Sequence, residues 1–173
     1  MKKRAFTLIE LLIVIAIIAI LATIIFISLA SAKKKAQNTK IKADISGMST
    51  ALEIARSDSG SGSAIYTTTG TSWPNVGSGY DMTALKDESG KVLISANPMH
   101  PLSGVYYQVK VSLDNSAILA PLAATDGNYD WWCGKNGTTF GIDSTASGIG
   151  MARYNPASPT LPSTLLLAAC AGF

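Results

Sequence analysis

Glycine and proline are missing from the first 46 residues: all 15 Gly and all 7 Pro lie at or beyond Gly47. These are the two strongest helix breakers, so nothing near the N-terminus interrupts a helix. Charge is scarce too, at 14% of 173 residues, against roughly 25% in an ordinary soluble domain. Only two cysteines are present, which excludes a disulfide-dense miniprotein. The single histidine, His100, sits in Pro98-Met-His-Pro101 without a His/Cys/Glu cluster and reads as a loop residue, not a zinc ligand. There is no phosphate-cradling glycine motif, no nucleophile elbow and no Cys-x-x-Cys pair. The chain therefore reads as no enzyme, with no cofactor and no metal site. A hydrophobic content of 47% and a mean hydropathy of +0.27 exclude disorder.

What is present is unevenly distributed. From Phe6 to Ala32, 22 of 27 residues are apolar; from Lys33 to Phe173, 58 of 141 are. Residues 1–5 form a short basic leader. Residues 6–32 read as an apolar transmembrane or filament-core helix, residues 33–59 as its amphipathic continuation, and residues 60–173 as a β-rich globular head. Leu11–Ala32 supplies 22 uncharged residues, which at about 1.5 Å each cross a bilayer core of about 30 Å. The run is longer than the apolar region of a cleaved secretory signal and carries a carboxylate, Glu10, near its start. A plain single-span anchor remains open on composition alone. An acid beside an apolar span is a functional candidate. If the chain were cut before Phe6, the new α-ammonium would lie close to Glu10 or to a neighbour's Glu10, and such a pair away from water would be strong.

Lys2-Lys-Arg-Ala-Phe-Thr-Leu-Ile-Glu-Leu-Leu-Ile-Val-Ile-Ala-Ile-Ile-Ala-Ile-Leu21 resembles the leader and helix start of type IV pilins and pseudopilins. The resemblance implies that a prepilin peptidase cuts between Ala5 and Phe6 and that Phe6 is N-methylated. It also implies that Glu10 neutralises the terminal amine of an adjacent subunit during assembly. The chain departs from the family's usual pattern at Ala5, where Gly is common, at Ile27, where many members carry Pro, and at Ala19, where Gly often appears. Basic residues flank the span on both sides (Lys2, Lys3, Arg4 and Lys33, Lys34, Lys35), so charge alone does not orient it. The resemblance places the N-terminus in the cytoplasm. Lys33–Lys35 reads as a solvated or interfacial helix turn, and no specific nucleic-acid binding is expected.

Beyond Ala36 the pattern becomes amphipathic. Ile41, Ile45, Met48, Leu52 and Ala55 recur at helical spacing, opposite Lys40, Lys42, Asp44, Ser46, Thr50 and Glu53. This predicts one long helix ending near Arg56, with the apolar stripe on a sheet. Gly47 costs about 1 kcal/mol relative to Ala, which a close sheet contact would offset. Ser57-Asp-Ser-Gly-Ser-Gly-Ser63 follows as a turn or linker. Strands are expected at Ala64–Thr68, Lys91–Ser95, Val105–Leu113, Ala117–Ala120, Tyr129–Cys133 and Thr138–Ile142. The expected fold class is α+β: a long N-terminal helix, its apolar half protruding and its C-terminal half packed on a small antiparallel sheet. That order is pilin-like.

Cys133 and Cys170 are an even pair in a chain with an export-type leader, which favours a disulfide in an oxidising compartment. A bridged loop near the C-terminus also resembles the pilin D-region. Asp126-Gly-Asn-Tyr-Asp130 begins like a calcium loop but lacks its later ligands. Asn136-Gly-Thr138 is a sequon that equally reads as a turn. Tyr106, Tyr107, Trp131 and Trp132 read as core and subunit-contact residues, not a ligand platform. The resemblance implies a structural subunit of a helical homo-oligomeric filament, with a pseudopilin of a secretion or DNA-uptake machine as the alternative. It implies a single-pass inner-membrane precursor, partnered by prepilin peptidase and the pilus assembly machinery, and then an extracellular filament at the bacterial surface. The formal charge of +3 resides in Lys2, Lys3 and Arg4; the predicted cut leaves 11 basic and 11 acidic side chains.

Overall fold

The computed structural model describes residues 6–57, 73–111, 115–146, 149 and 168–170, with backbone alone at 26–28. One helix, α1 (Leu8–Ser57), is followed by a 3₁₀ turn at Met82–Ala84 and four strands. These are β1 (Gln108–Val111), β2 (Ser116–Asp126), β3 (Tyr129–Lys135) and β4 (Thr138–Ile142). They form one sheet in the order β1-β2-β3-β4, antiparallel throughout. The chain divides into two compact units, Met1–Ala36 and Gln37–Phe173.

In the first unit α1 is uninterrupted, as the lack of Gly and Pro requires. Its large side chains are exposed: Leu8 87%, Ile9 66%, Ile20 63% and Ile25 64%. The helix is long and apolar enough to cross a membrane.

The second unit is built around the stripe read from the sequence. Ile41, Ile45, Met48, Leu52 and Ala55 are buried and share a core with Tyr107, Val109, Val111, Ile118, Ala120 and Leu122. The sheet's other face is also covered. Ala117, Leu119, Trp131, Cys133 and Ile142 pack with Cys170, Trp73 and Ile149. A sheet covered on both faces explains why β2 runs well beyond the expected Ala117–Ala120. Eight consecutive residues, Ser116–Ala123, are buried, so the strand shows no alternation to read.

Pro121 lies inside β2, where it removes a ladder donor, and the register shifts between Pro121 and Asp126. Asn38 of α1 fills that gap. Its Oδ1 accepts from Ala123 N (2.8 Å) and Ala124 N (3.2 Å), and its Nδ2 donates to the Ala124 carbonyl (2.8 Å). A buried backbone group left unpaired costs about 1–3 kcal/mol. One side chain thus satisfies three groups that a regular ladder would have paired.

Two expectations are corrected. The close approach of helix to sheet falls on Gly134 of β3, not on Gly47. A Cβ at Gly134 would lie 2.7 Å from Ile45 Cγ2 and 3.1 Å from Ser49 Cβ, whereas Gly47 has nothing within 4 Å. Residues 91–95 form no strand; Val92 makes only an isolated bridge to Lys86. The Asp87 carboxylate takes the Lys91 N–H and the Ser89 hydroxyl, closing a tight turn. Leu93 and Ile94 then serve as half-buried packing on the core. The expected strand at Ala64–Thr68 and most of the C-terminal loop lie outside the described residues.

Candidate functional site

The residues marked for processing and assembly lie at the start of α1. Ala5 is outside the described residues, and Phe6 is 77% exposed. Thr7 and Glu10 form a reciprocal helix cap. Thr7 N (2.9 Å) and Thr7 Oγ1 (2.8 Å) both donate to Glu10 Oε2, and Glu10 N donates to Thr7 Oγ1 (3.3 Å). This is the Ser/Thr-x-x-Glu capping box, in which cap and acid satisfy each other's orphan N–H groups. The carboxylate also sits where the helix dipole favours negative charge. Among the described residues, Glu10 Oε1 has no partner, so the carboxylate can cap its own helix and still receive a cation. The pattern Thr7-Leu-Ile-Glu10 was readable as a capping box from the sequence alone.

In the second unit, polar residues from α1 hold the segments around the sheet. Lys40 Nζ donates to the Met99 carbonyl (2.6 Å) and pairs with Asp44 (3.1 Å). The buried Tyr107 donates its hydroxyl to Asp44 Oδ2 (2.6 Å). Burial and that hydrogen bond both push the phenol's pKa upward. Lys42 pairs with Asp126 and lies 3.9 Å from the Trp132 ring centroid. Ser116 Oγ donates to Glu53, which also pairs with Arg56. The polar face opposite the apolar stripe is therefore partly committed to the head.

His100 is a loop residue, as expected, and is half-buried. Leu102 N donates to Nδ1 (3.2 Å), so Nδ1 holds the lone pair, and Nε2 carries the proton it shares with the Pro121 carbonyl (3.0 Å). Burial holds its pKa below the ordinary 6.5 and outweighs the opposing hydrogen bonds. The ring faces Tyr107 at 5.2 Å between centroids. Both line an open cleft of about 360 Å³ between residues 76–78 and 97–107.

Cys133 and Cys170 are joined by a disulfide with Cα atoms 5.6 Å apart, and both are fully buried. The bond fastens the short C-terminal helical segment to the outer face of β3. Asp126 and Asp130 do not converge as calcium ligands would. Asp126 pairs with Lys42, while the buried Asp130 takes the N–H (2.8 Å) and hydroxyl of Ser144. Among the described residues there is no group of three His, Cys, Asp or Glu side chains able to hold a metal. The Asn136 amide is engaged, donating to Asn115 Oδ1 (3.0 Å) and accepting from Ser116 N (2.8 Å). Asn136 and Gly137 have positive φ values of 47° and 78° and close the β3–β4 hairpin. The four aromatics are dispersed: Tyr107 and Trp131 are buried in different clusters, Tyr106 is exposed, and Trp132 is half-buried under Lys42.

Residues 1–26 match the family described as "Prokaryotic N-terminal methylation motif". No curated protein and no solved structure matches the chain. The N-terminal segment is thus a type IV pilin-like prepilin segment. The long helix on a four-stranded antiparallel sheet is an α+β, pilin-like arrangement.

Proposed function

We propose that the chain is a structural subunit of a type IV pilus-like filament, made as a membrane-anchored prepilin and polymerised through α1 after prepilin peptidase removes residues 1–5. The observation that carries this reading is the methylation motif at residues 1–26, continuous with a helix whose apolar side chains have no cover of their own. Burial of apolar surface is worth about 25 cal/mol per Å². A helix that is apolar on every face is buried either in lipid or against other protein. Both environments are used in turn: the bilayer holds the precursor, and neighbouring helices replace it in the filament core. Phe6 becomes the new terminus, and Glu10 receives the α-ammonium of an adjacent subunit. The disulfide-bonded head faces the medium. The motif and the fold point to a structural role, not to catalysis.

The capping box decides how the Glu10 role is tested. Glu10→Val removes both the charge and the cap, whereas Glu10→Gln removes the charge and keeps a residue that can still cap. Both variants insert in the membrane, and both lose filaments in a shear-and-sediment assay. Normal filaments from Glu10→Gln refute the charge-pair role. Chain found solely in the inner membrane, and never in the sheared fraction, refutes the surface filament and favours a pseudopilin.

A further inference from the structure

Five lysines lie between Lys33 and Lys42, and no acid lies between Leu11 and Ala43. The structure divides these lysines. Lys40 is tied to Asp44 and the Met99 carbonyl, and Lys42 to Asp126 and the Trp132 ring. Both serve the head. Lys33 and Lys34 belong to the other unit, are exposed, and their side chains have no hydrogen-bond or ion-pair partner among the described residues. Their only neighbours along α1 toward the N-terminus are the 22 uncharged residues of Leu11–Ala32.

We propose that Lys33 and Lys34 form a docking surface for anionic phospholipid headgroups at the end of the membrane span. This rests on the reading of α1 as a membrane anchor. Three arguments favour lipid as the occupant. The uncharged stretch covers roughly 33 Å at 1.5 Å per residue, so the lysines stand at the phosphate level of a core about 30 Å thick. Helical side chains lean toward the helix N-terminus, which directs both ammonium groups back over the bilayer boundary instead of out into water. The charge is complementary and uncompensated, since Glu10, at the far end of the span, is the only acid in residues 6–43. Once residues 1–5 are removed, the lysines after Ala32 are the only side-chain cations flanking the span. They then hold the processed chain at the bilayer, and entry into a filament must break that contact.

The test uses the full-length chain reconstituted in bilayers containing spin-labelled phosphatidylglycerol or phosphatidylcholine, read as the fraction of motionally restricted label. The expected result is a preference of about thirtyfold for phosphatidylglycerol, from about 1 kcal/mol for each of the two surface lysines, weakened at high salt. In the double variant Lys33→Gln/Lys34→Gln the two lipids become nearly equivalent. Restricted phosphatidylcholine without a phosphatidylglycerol preference in the unaltered chain overturns the proposal and leaves the anchor intact. So does a preference that survives the double substitution. No restricted lipid of either kind refutes the anchor itself, and the proposal with it. Carbodiimide cross-links from Lys33 or Lys34 to carboxylates of a second copy, in a chain lacking the lipid preference, assign the surface to chain–chain contact and overturn the lipid reading.

Discussion

Adding one methyl group at each of two glycines is expected to move the head's stability in opposite directions. At Gly134 a new Cβ would stand 2.7 Å from Ile45 Cγ2 and 3.1 Å from Ser49 Cβ. Neither neighbour can yield freely. Ile45 is fully buried in the core, and Ser49 Oγ accepts the Gly137 N–H at 3.0 Å. Overpacking of this kind costs about 1–3 kcal/mol. At Gly47 nothing lies within 4 Å, and Ala gains about 1 kcal/mol in a helix interior. The two variants should therefore differ by about 2–4 kcal/mol, although each adds the same atoms. The assay is urea unfolding of the full chain in detergent micelles, followed by fluorescence of Trp73, Trp131 and Trp132, which lie outside α1. With a slope of about 1–3 kcal/mol per molar urea, the midpoints separate by about 0.7–4 M. Equal midpoints, or a Gly134→Ala protein more stable than Gly47→Ala, refute the placement of the close contact on β3.

Asn38→Ala should lower head stability by about 2–4 kcal/mol, because three backbone groups around the Pro121 irregularity lose their partner; Asn38→Asp, which keeps the acceptor, should cost less in the same urea assay. His100 contributes stability only while neutral. Its folded pKa lies below 6.5, so the unfolded chain takes up the proton first. Its contribution is full above about pH 6.5 and is lost as pH falls through the folded value. His100→Gln should flatten the pH dependence of the unfolding midpoint in that window; an unchanged slope refutes the assignment. Tyr107→Phe should destabilise by about 1–2 kcal/mol, because Asp44 loses a hydroxyl donor in a partly buried site. Thr7→Ala should fray the first turn of α1 by about 1 kcal/mol, seen as faster amide exchange at residues 8–10 with no change in head stability.

The elements that were legible are those whose period reflects a single cause. The stripe from Ile41 to Ala55 has one buried face, and it fixes the helix and the core it meets. Thr138–Ile142 was legible to the residue, because Asn136-Gly137 closes the hairpin by its own backbone preference. The strand around Pro121 was not, since burial on both faces erases alternation and the proline argues against a ladder that Asn38 completes from elsewhere in the chain. Of the expected strand at 105–113, residues 105–107 precede β1 (Gln108–Val111) and 112–113 lie outside the described residues; the backbone of Tyr107 and Val109 also bonds to that of Val76 and Pro74, a pairing no local pattern marks. Contacts between residues distant in sequence were invisible for the same reason: nothing local marks Gly134 as a close approach or Asp44 as the partner of Tyr107. At the N-terminus the reverse holds. Thr7 and Glu10 meet through local spacing, so the capping box was open to reading from Thr7-Leu-Ile-Glu10, although it was not among the expectations.

The proposed filament depends on cleavage of the chain before Phe6 and its polymerisation. Intact-mass and N-terminal mass spectrometry of protein sheared from the cell surface tests it most directly. The expected result is filaments of a 168-residue chain, the 173 given less residues 1–5, beginning at N-methylated Phe6 and lighter by two hydrogens for the Cys133–Cys170 bond. Surface material that begins at Met1 or at any residue other than Phe6, or an unmethylated Phe6 terminus, contradicts it.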